Sequence, residues 1–352
     1  MEYLKSVKDP LKKINDKNFK YLNLFKYPPL VFGTNRSDKV DFCKYPKEVR
    51  TEIMKLHPKT KYLMEYHKAS TCGCRIRFKT TSRKLIFRIK LRRGYNYKNM
   101  VMWNSSALSI YTVDKKGKYH YKTLLTPSAG KNCFAEAIRL PADSSVCIFL
   151  PSYDTIEEMY IGFEEKARIF RFNYPKDNRL PVIFYGGSAA QGASATKSSN
   201  SYPNIVSRKL NRDIINYSIT RCCKATPSMA KIIGQTDCDS IVIDYSRDAK
   251  DKKELMERHE KFYKQIRQAH PDRKIILLTT ASFNGSKKYE GYDEIIQKTY
   301  ENALSRGEKT HLINQRELFK KEDYDIISFN NGYYTDYAMF KLADKICEII
   351  NS

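Results

Sequence analysis

No apolar run in this chain of 352 residues approaches the roughly 20 residues that span a bilayer, so no transmembrane helix is expected. The first residues, Met1-Glu2-Tyr3-Leu4-Lys5, lack the apolar stretch of a secretory signal. Cysteine occurs nine times, an odd number, scattered through a chain too large to need disulfide staples. Reduced thiols in a cytoplasmic compartment are therefore expected. Cys72-Gly73-Cys74 resembles half of a metal knuckle, but no second ligand pair follows at matching spacing. No metal or other cofactor is expected. Acidic residues are also scarce: 39 Asp+Glu stand against 64 Lys+Arg, a formal net charge of +25. What is plentiful is apolar surface, 41% of residues with 12% aromatic, which excludes a disordered chain. At about 150 residues per domain, the length predicts two domains.

The charge is lopsided. Residues 1–178 hold 36 basic and 17 acidic groups, whereas residues 179–352 hold 28 and 22. Within the first half, residues 1–135 carry 31 basic and only 9 acidic groups. Such a field favours an acidic partner: an acidic peptide or protein, nucleic acid, an anionic glycan or an anionic membrane surface. The competing explanation is a lysine coat with no partner at all, since no nucleic-acid-binding motif accompanies the charge.

The two halves follow different periods. Cys74-Arg75-Ile76-Arg77-Phe78-Lys79 alternates apolar and basic residues, as a half-buried strand should. Further strands are expected at 85–91, 107–111, 146–150 and 159–163, with turn signals such as Lys116-Gly117 and Pro141-Ala142-Asp143 separating some of them. Many short strands without long helices predict a β-sandwich over residues 1–178, behind an extended N-terminal segment. After Pro175-Lys176-Asp177-Asn178 the pattern becomes strand then helix, five times over. Strands are expected at 182–185, 214–217, 241–244, 275–278 and 311–313, and helices near 201–210, 226–235, 252–269, 289–306 and 336–350. Residues 179–352 are thus expected to form an α/β, three-layer αβα domain with a doubly wound parallel sheet, whose ligands bind beyond the carboxyl ends of the strands.

The first of these strands runs into Tyr185-Gly186-Gly187-Ser188-Ala189-Ala190-Gln191-Gly192. A Ser in a Gly-bracketed turn after a strand can present its hydroxyl above the sheet, although Gly-Gly-Ser is also an ordinary turn. Together with Asn200-Ser201-Tyr202-Pro203, Asp213-Ile214-Ile215-Asn216, Asp244-Tyr245 and Thr335-Asp336, this block resembles the SGNH (GDSL-like) hydrolases. The similarity is to two-domain bacterial members with an N-terminal β-sandwich and a flavodoxin-like αβα domain. Their G-x-D-L-Y signature is represented here only by Ala107-Leu108-Ser109-Ile110-Tyr111.

The resemblance implies an ester-cleaving machine with Ser188 as nucleophile, in a cleft lined by Gly187, Cys222 and Asn200. A His and an Asp activate such a Ser, while backbone N–H groups and an Asn side chain hold the oxyanion. Here the family's N-L-G-x-S-G block reads Asn216-Tyr217-Ser218-Ile219-Thr220-Arg221, placing Arg221 at the oxyanion Gly position. The D-Y-D-H-N-A block reads Asp244-Tyr245-Ser246-Arg247-Asp248-Ala249, so Asp248 replaces the oxyanion Asn. The final D-G-x-H block reads Asn330-Asn331-Gly332-Tyr333, so Asn330 and Tyr333 replace Asp and His. A phenol of ordinary pKa about 10 is no substitute for an imidazole, and a carboxylate opposes an oxyanion.

The expectation is a pseudoenzyme acting as a binding or accessory protein for an acidic partner, with Arg221 and Asp248 paired across the old oxyanion hole. Two alternatives stand beside it. One is an active esterase or acyltransferase using Ser188 with a non-standard base, such as a His brought in from elsewhere. A Cys222 or Cys223 thiol near the cleft, its pKa lowered by Arg221, would be a catalytic group of its own, but no His or Asn is placed to complete a Cys dyad. The other is a nucleic-acid-associated protein acting through its basic N-terminal domain. His259 and His270 are expected to make structural hydrogen bonds.

Overall fold

The computed structural model describes residues 1–8, 14–34, 38–94, 100–283, 286–329 and 333–352, which divide into two compact units. The first comprises residues 1–42, 69–175 and 196–199; the second comprises 43–68, 176–195 and 200–352.

The first unit is a β-sandwich. Its strands are β1 (Phe19–Asn23), β2 (Val31–Phe32), β3 (Arg75–Thr80), β4 (Lys84–Leu91), β5 (Leu108–Val113), β6 (Tyr119–Leu125), β7 (Cys133–Arg139), β8 (Ser144–Phe149), β9 (Ile156–Glu164) and β10 (Ile169–Arg171). One sheet has the order β1-β9-β4-β7, and the other runs β10-β3-β8-β5-β6 with β2 also paired to β3. All these pairings are antiparallel. Alternate side chains of the two sheets, such as Ile76, Phe78, Phe87, Ile89, Ile148 and Ile161, fill the core between them.

The second unit holds five parallel strands, β11 (Val182–Gly186), β12 (Ile214–Asn216), β13 (Ser240–Asp244), β14 (Lys274–Leu278) and β15 (Thr310–Ile313). Their order is β12-β11-β13-β14-β15, the doubly wound arrangement with its switch point between β11 and β13. Both faces are buried, and successive residues divide between them. Ile183, Tyr185, Ile241, Ile243, Ile275 and Leu277 belong to one core, whereas Val182, Phe184, Val242, Ile276 and Leu278 belong to the other. This is why the strands read as continuous apolar runs. Helices Tyr202–Leu210, Pro227–Gly234, Lys252–Ala269, Tyr292–Ser305 and Asp336–Asn351 cover the sheet. The longest is capped by Asp251, whose side chain accepts the Glu254 N–H at 2.9 Å.

The division expected from sequence, a single boundary at 178, differs from this arrangement in one substantial respect. Residues 43–68 form helices Lys47–Leu56 and Lys61–His67, and they belong to the second unit. Tyr45, Val49, Ile53 and Met64 are fully buried in its core. Lys44 Nζ donates to the Asn216 carbonyl at 2.9 Å, and the Tyr45 hydroxyl donates to the Tyr217 carbonyl at 2.7 Å. The charge is redistributed accordingly. The first unit holds 29 basic and 13 acidic residues and the second 35 and 26, so the αβα unit carries +9 and is not close to neutral. Among the described residues no helix is long and apolar enough to cross a membrane.

Candidate functional site

The site lies at the carboxyl end of the parallel sheet, at its switch point. β11 ends at Gly186, and the chain turns through Gly187 into the single helical turn Ser188–Gln191. Both glycines answer a close approach. A Cβ at Gly186 would stand 2.7 Å from Ala190 Cβ and 2.8 Å from the Asp244 carbonyl oxygen, and one at Gly187 would collide with Asp248 Oδ1. Ser188, half-buried, lines a cavity of about 300 Å³.

The segment after β12 is tied to this turn by the polar residues that carried the resemblance. Asn216 donates to the Ala190 carbonyl at 2.7 Å and accepts the Ser218 N–H at 3.0 Å. The Ser218 hydroxyl oxygen accepts the Gly186 N–H at 3.1 Å. Gln191 Oε1 accepts from both the N–H and the hydroxyl of Thr220, at 2.6 and 2.7 Å. The next residue, Arg221, is held at φ 61°, in the left-handed region where Gly is at ease and other residues cost roughly 1–2 kcal/mol. The backbone conformation that a Gly would supply therefore persists with an Arg in place. Among the described residues nothing accepts the Arg221 N–H. An Arg here keeps the backbone N–H that a Gly would offer, because every residue but proline carries one.

Asp248 sits in a short turn after β13 and is buried. Its Oδ2 accepts the Cys223 N–H at 3.1 Å, and its Oδ1 occupies the space beside Gly187. Lys224 Nζ donates to its backbone carbonyl. Burial raises the Asp248 carboxyl to about 6 against the opposing pull of Lys224, the Cys223 N–H, Arg247 and Arg221. The expected Arg221–Asp248 pair does not form: no ion pair joins them among the described residues. The reason is local, since Arg221 is exposed while the buried Asp248 carboxylate is taken up by Cys223 and Gly187.

A second carboxyl, Asp244, ends β13 and also lines the cavity. The Tyr202 hydroxyl donates to its Oδ2 at 2.9 Å, and Gln315 Nε2 donates to its Oδ1 at 3.3 Å. Burial raises Asp244 to about 7 despite those two donors. Gln315, fully buried, also donates to the Thr279 carbonyl and accepts from the Tyr334 hydroxyl. Sequence alone does not mark Gln315, which lies in no motif, or the Tyr334 hydroxyl, which stands in the final block at a position with no polar role; their partners lie far along the chain.

Tyr333 lines the cavity as well, with the Arg247 guanidinium 5.8 Å from its ring centre and 5.1 Å from that of Tyr289. Asn330 lies outside the described residues. Asn200 and Cys222, expected in the cleft, are not among its lining residues. Asn200 instead donates to Asp336 Oδ2 at 2.6 Å, and Cys222 is fully buried. Burial pushes the Cys222 and Cys223 thiols far above their ordinary range, the opposite of an activated thiolate.

None of the six His residues lines the cavity. His259 bonds to Thr299 Oγ1 at 2.9 Å and stacks on Tyr245, with burial lowering it to about 4. His270 Nε2 bonds to the Ile233 carbonyl at 3.0 Å, and His57 pairs with Glu254 at 2.8 Å. The remaining charged groups of the cavity are cations: Arg221, Lys224, Arg247 and Lys288.

Residues 179–351 match the GDSL-like Lipase/Acylhydrolase family, and residues 21–169 match the GxDLY domain, the N-terminus of Esterase_SGNH_hydro-type. The chain belongs to the GDSL-like (SGNH) hydrolases. A protein from Bacteroides ovatus described as a putative GDSL-like lipase is similar in structure, with TM-score 0.79 and 20% identity over 95% of this chain and 98% of its own. The salicylyl-acyltransferase SsfX3 from a tetracycline biosynthetic pathway gives TM-score 0.72 and 16% identity over 97% and 96%. A family two carbohydrate esterase from Clostridium thermocellum gives 0.53 and 10% over 80% and 93%. At these identities the likeness is one of fold. A search of curated proteins by sequence gives no match. Within the GDSL-like family, this site combines a Ser on the turn after the first parallel strand with a cavity that no imidazole lines.

Proposed function

We propose that this GDSL-like protein does not cleave esters by the family's relay and uses the cavity above Ser188 as a binding site. The observation that carries this reading is the absence of any His among the cavity's lining residues, with Tyr333 at the position where the resemblance puts the base. Without a base a Ser hydroxyl is a weak nucleophile at neutral pH. Asp248 adds to the argument, since an ionised carboxylate beside Gly187 repels the negative charge that develops during acyl transfer. The test is hydrolysis of p-nitrophenyl acetate by the full chain beside Ser188→Ala. Equal rates support the reading, and a Ser188-dependent rate sinks it.

One observation favours a second reading, an acyl hydrolase or acyltransferase with a carboxylate base. Asp248, raised to about 6, and Asp244, raised to about 7, line the same cavity as Ser188. A base poised near neutral pH is what general-base catalysis requires. A Ser188-dependent acyl transfer lost in Asp248→Asn selects this reading.

The β-sandwich unit, at +16, remains the candidate surface for an acidic macromolecule. Binding of heparin or RNA that weakens steeply with salt supports that role, and no binding at low salt removes it.

A further inference from the structure

The cavity over Ser188 is cationic in an unusual way. Arg221 and Lys224 reach it from the segment after β12, Arg247 from the turn after β13, and Lys288 from the segment after β14. Among the described residues, none of these four makes an ion pair with a carboxylate. Arg247 donates to the Ala281 carbonyl at 2.8 Å and Lys224 to the Asp248 carbonyl, both neutral acceptors. The side chains of Arg221 and Lys288 make no hydrogen bond among the described residues. The two carboxyls of the cavity are engaged elsewhere, Asp244 by Tyr202 and Gln315 and Asp248 by the Cys223 N–H. Four cations of like sign share one small space, with two carboxylates to offset them. The excess is two positive charges even with both carboxyls ionised.

We propose that this cavity binds a small dianion, a phosphate or sulfate group, with Arg221, Lys224, Arg247 and Lys288 as its cationic ligands. The inference deepens the binding role proposed above and rests on it. A phosphate monoester carries about two negative charges near neutral pH and offers several acceptor oxygens, matching both the excess charge and the donor set. The guanidinium groups of Arg221 and Arg247 suit a tetrahedral oxyanion through paired N–H donors, and the lysines act as point charges. Tyr289 and Tyr333, whose ring centres lie 5.1 and 5.8 Å from the Arg247 guanidinium, both line the cavity and supply aromatic surface for an organic substituent. A cavity of about 300 Å³ admits a phosphate with a small organic group but not a polyanion.

The test is calorimetric titration of the full chain at low ionic strength with inorganic phosphate, sulfate, phenyl phosphate and, as a monoanion, benzoate. Binding of the dianions is expected, weakened about tenfold by Arg221→Gln and by Lys288→Gln, in line with the worth of a charge-assisted hydrogen bond. Both positions are exposed, so folding is not at stake, and Lys287→Gln, exposed and outside the lining, serves as the control. Tighter binding of phenyl phosphate than of phosphate assigns a monoester, and the reverse order assigns the free ion; either supports the proposal. It is overturned if no dianion binds, if benzoate binds as well as the dianions, or if Lys287→Gln weakens binding as much as the other two. The parent reading fails on a separate signal, Ser188-dependent ester cleavage, whatever the titration shows.

Discussion

Replacing Asp248 with Asn isolates what a buried carboxyl does at this site. In the folded protein its titration moves from an ordinary 3.8 up to about 6, because burial outweighs Lys224, the Cys223 N–H and the two arginines. A group that holds its proton more tightly when folded stabilises the fold most below its unfolded value, and that contribution is lost as pH rises through the folded value. Ionising Asp248 in place therefore costs about 3 kcal/mol. Asp248→Asn avoids that cost while its side-chain oxygen can still accept the Cys223 N–H. Urea unfolding of both proteins at about pH 4 and about pH 8 reads the difference, and comparing them cancels the general effect of charge on a basic chain. The variant should match the wild type at the lower pH and exceed it by up to about 3 kcal/mol at the higher. Equal stability at both values, or a constant offset between them, refutes the assignment of a buried, reluctantly ionised carboxyl.

Three other outcomes are expected. Arg221→Gly relieves a left-handed backbone, partly offset by the greater freedom of Gly in the unfolded chain, and should raise stability by about 0.5–1 kcal/mol in the same unfolding assay. Tyr202→Phe removes a hydroxyl donor from Asp244, so it should cost about 1–3 kcal/mol above about pH 7 and less at about pH 5, where that carboxyl is protonated. Ile53→Ala opens the core of the αβα unit from a helix far upstream in sequence; a loss of about 2–4 kcal/mol is expected, and a near-neutral effect contradicts its place in that core.

The sequence reveals most where one physical signal dominates. All five parallel strands fall where apolar runs predict them, because a sheet covered on both faces has no polar positions to interrupt the run. In the sandwich, β6 gives little strand signal, since Tyr119–Leu125 is mostly half-buried or exposed at the sheet edge and carries little alternation. Helix Lys47–Leu56 falls inside the span expected to be β-sandwich yet groups with the other unit, for a different reason. Its amphipathic pattern tells that one face is buried but not against what, and the answer, a Lys44 bond to the Asn216 carbonyl, spans the two halves of the chain. At the site, the motif positions of Ser188, Arg221, Asp248 and Tyr333 pointed to a shared cavity, and they do share one. Opposite signs at two motif positions did not make a pair. Pairing depends on which side of the backbone each residue occupies, and the left-handed turn at Arg221 is not written in residue type. Arg247 lies inside the D-Y-D-H-N-A block, but at a position to which the resemblance gives no role, and Lys288 lies in none of the motifs, so neither cation stands out from sequence.

The central claim is the proposed loss of the family's His relay at Ser188, and the reactivity of that one hydroxyl tests it most directly. Intact-mass analysis after incubation with a fluorophosphonate at about pH 8, where both cavity carboxyls are largely ionised, should show unmodified protein. A stoichiometric adduct on Ser188, abolished by Ser188→Ala, contradicts the account.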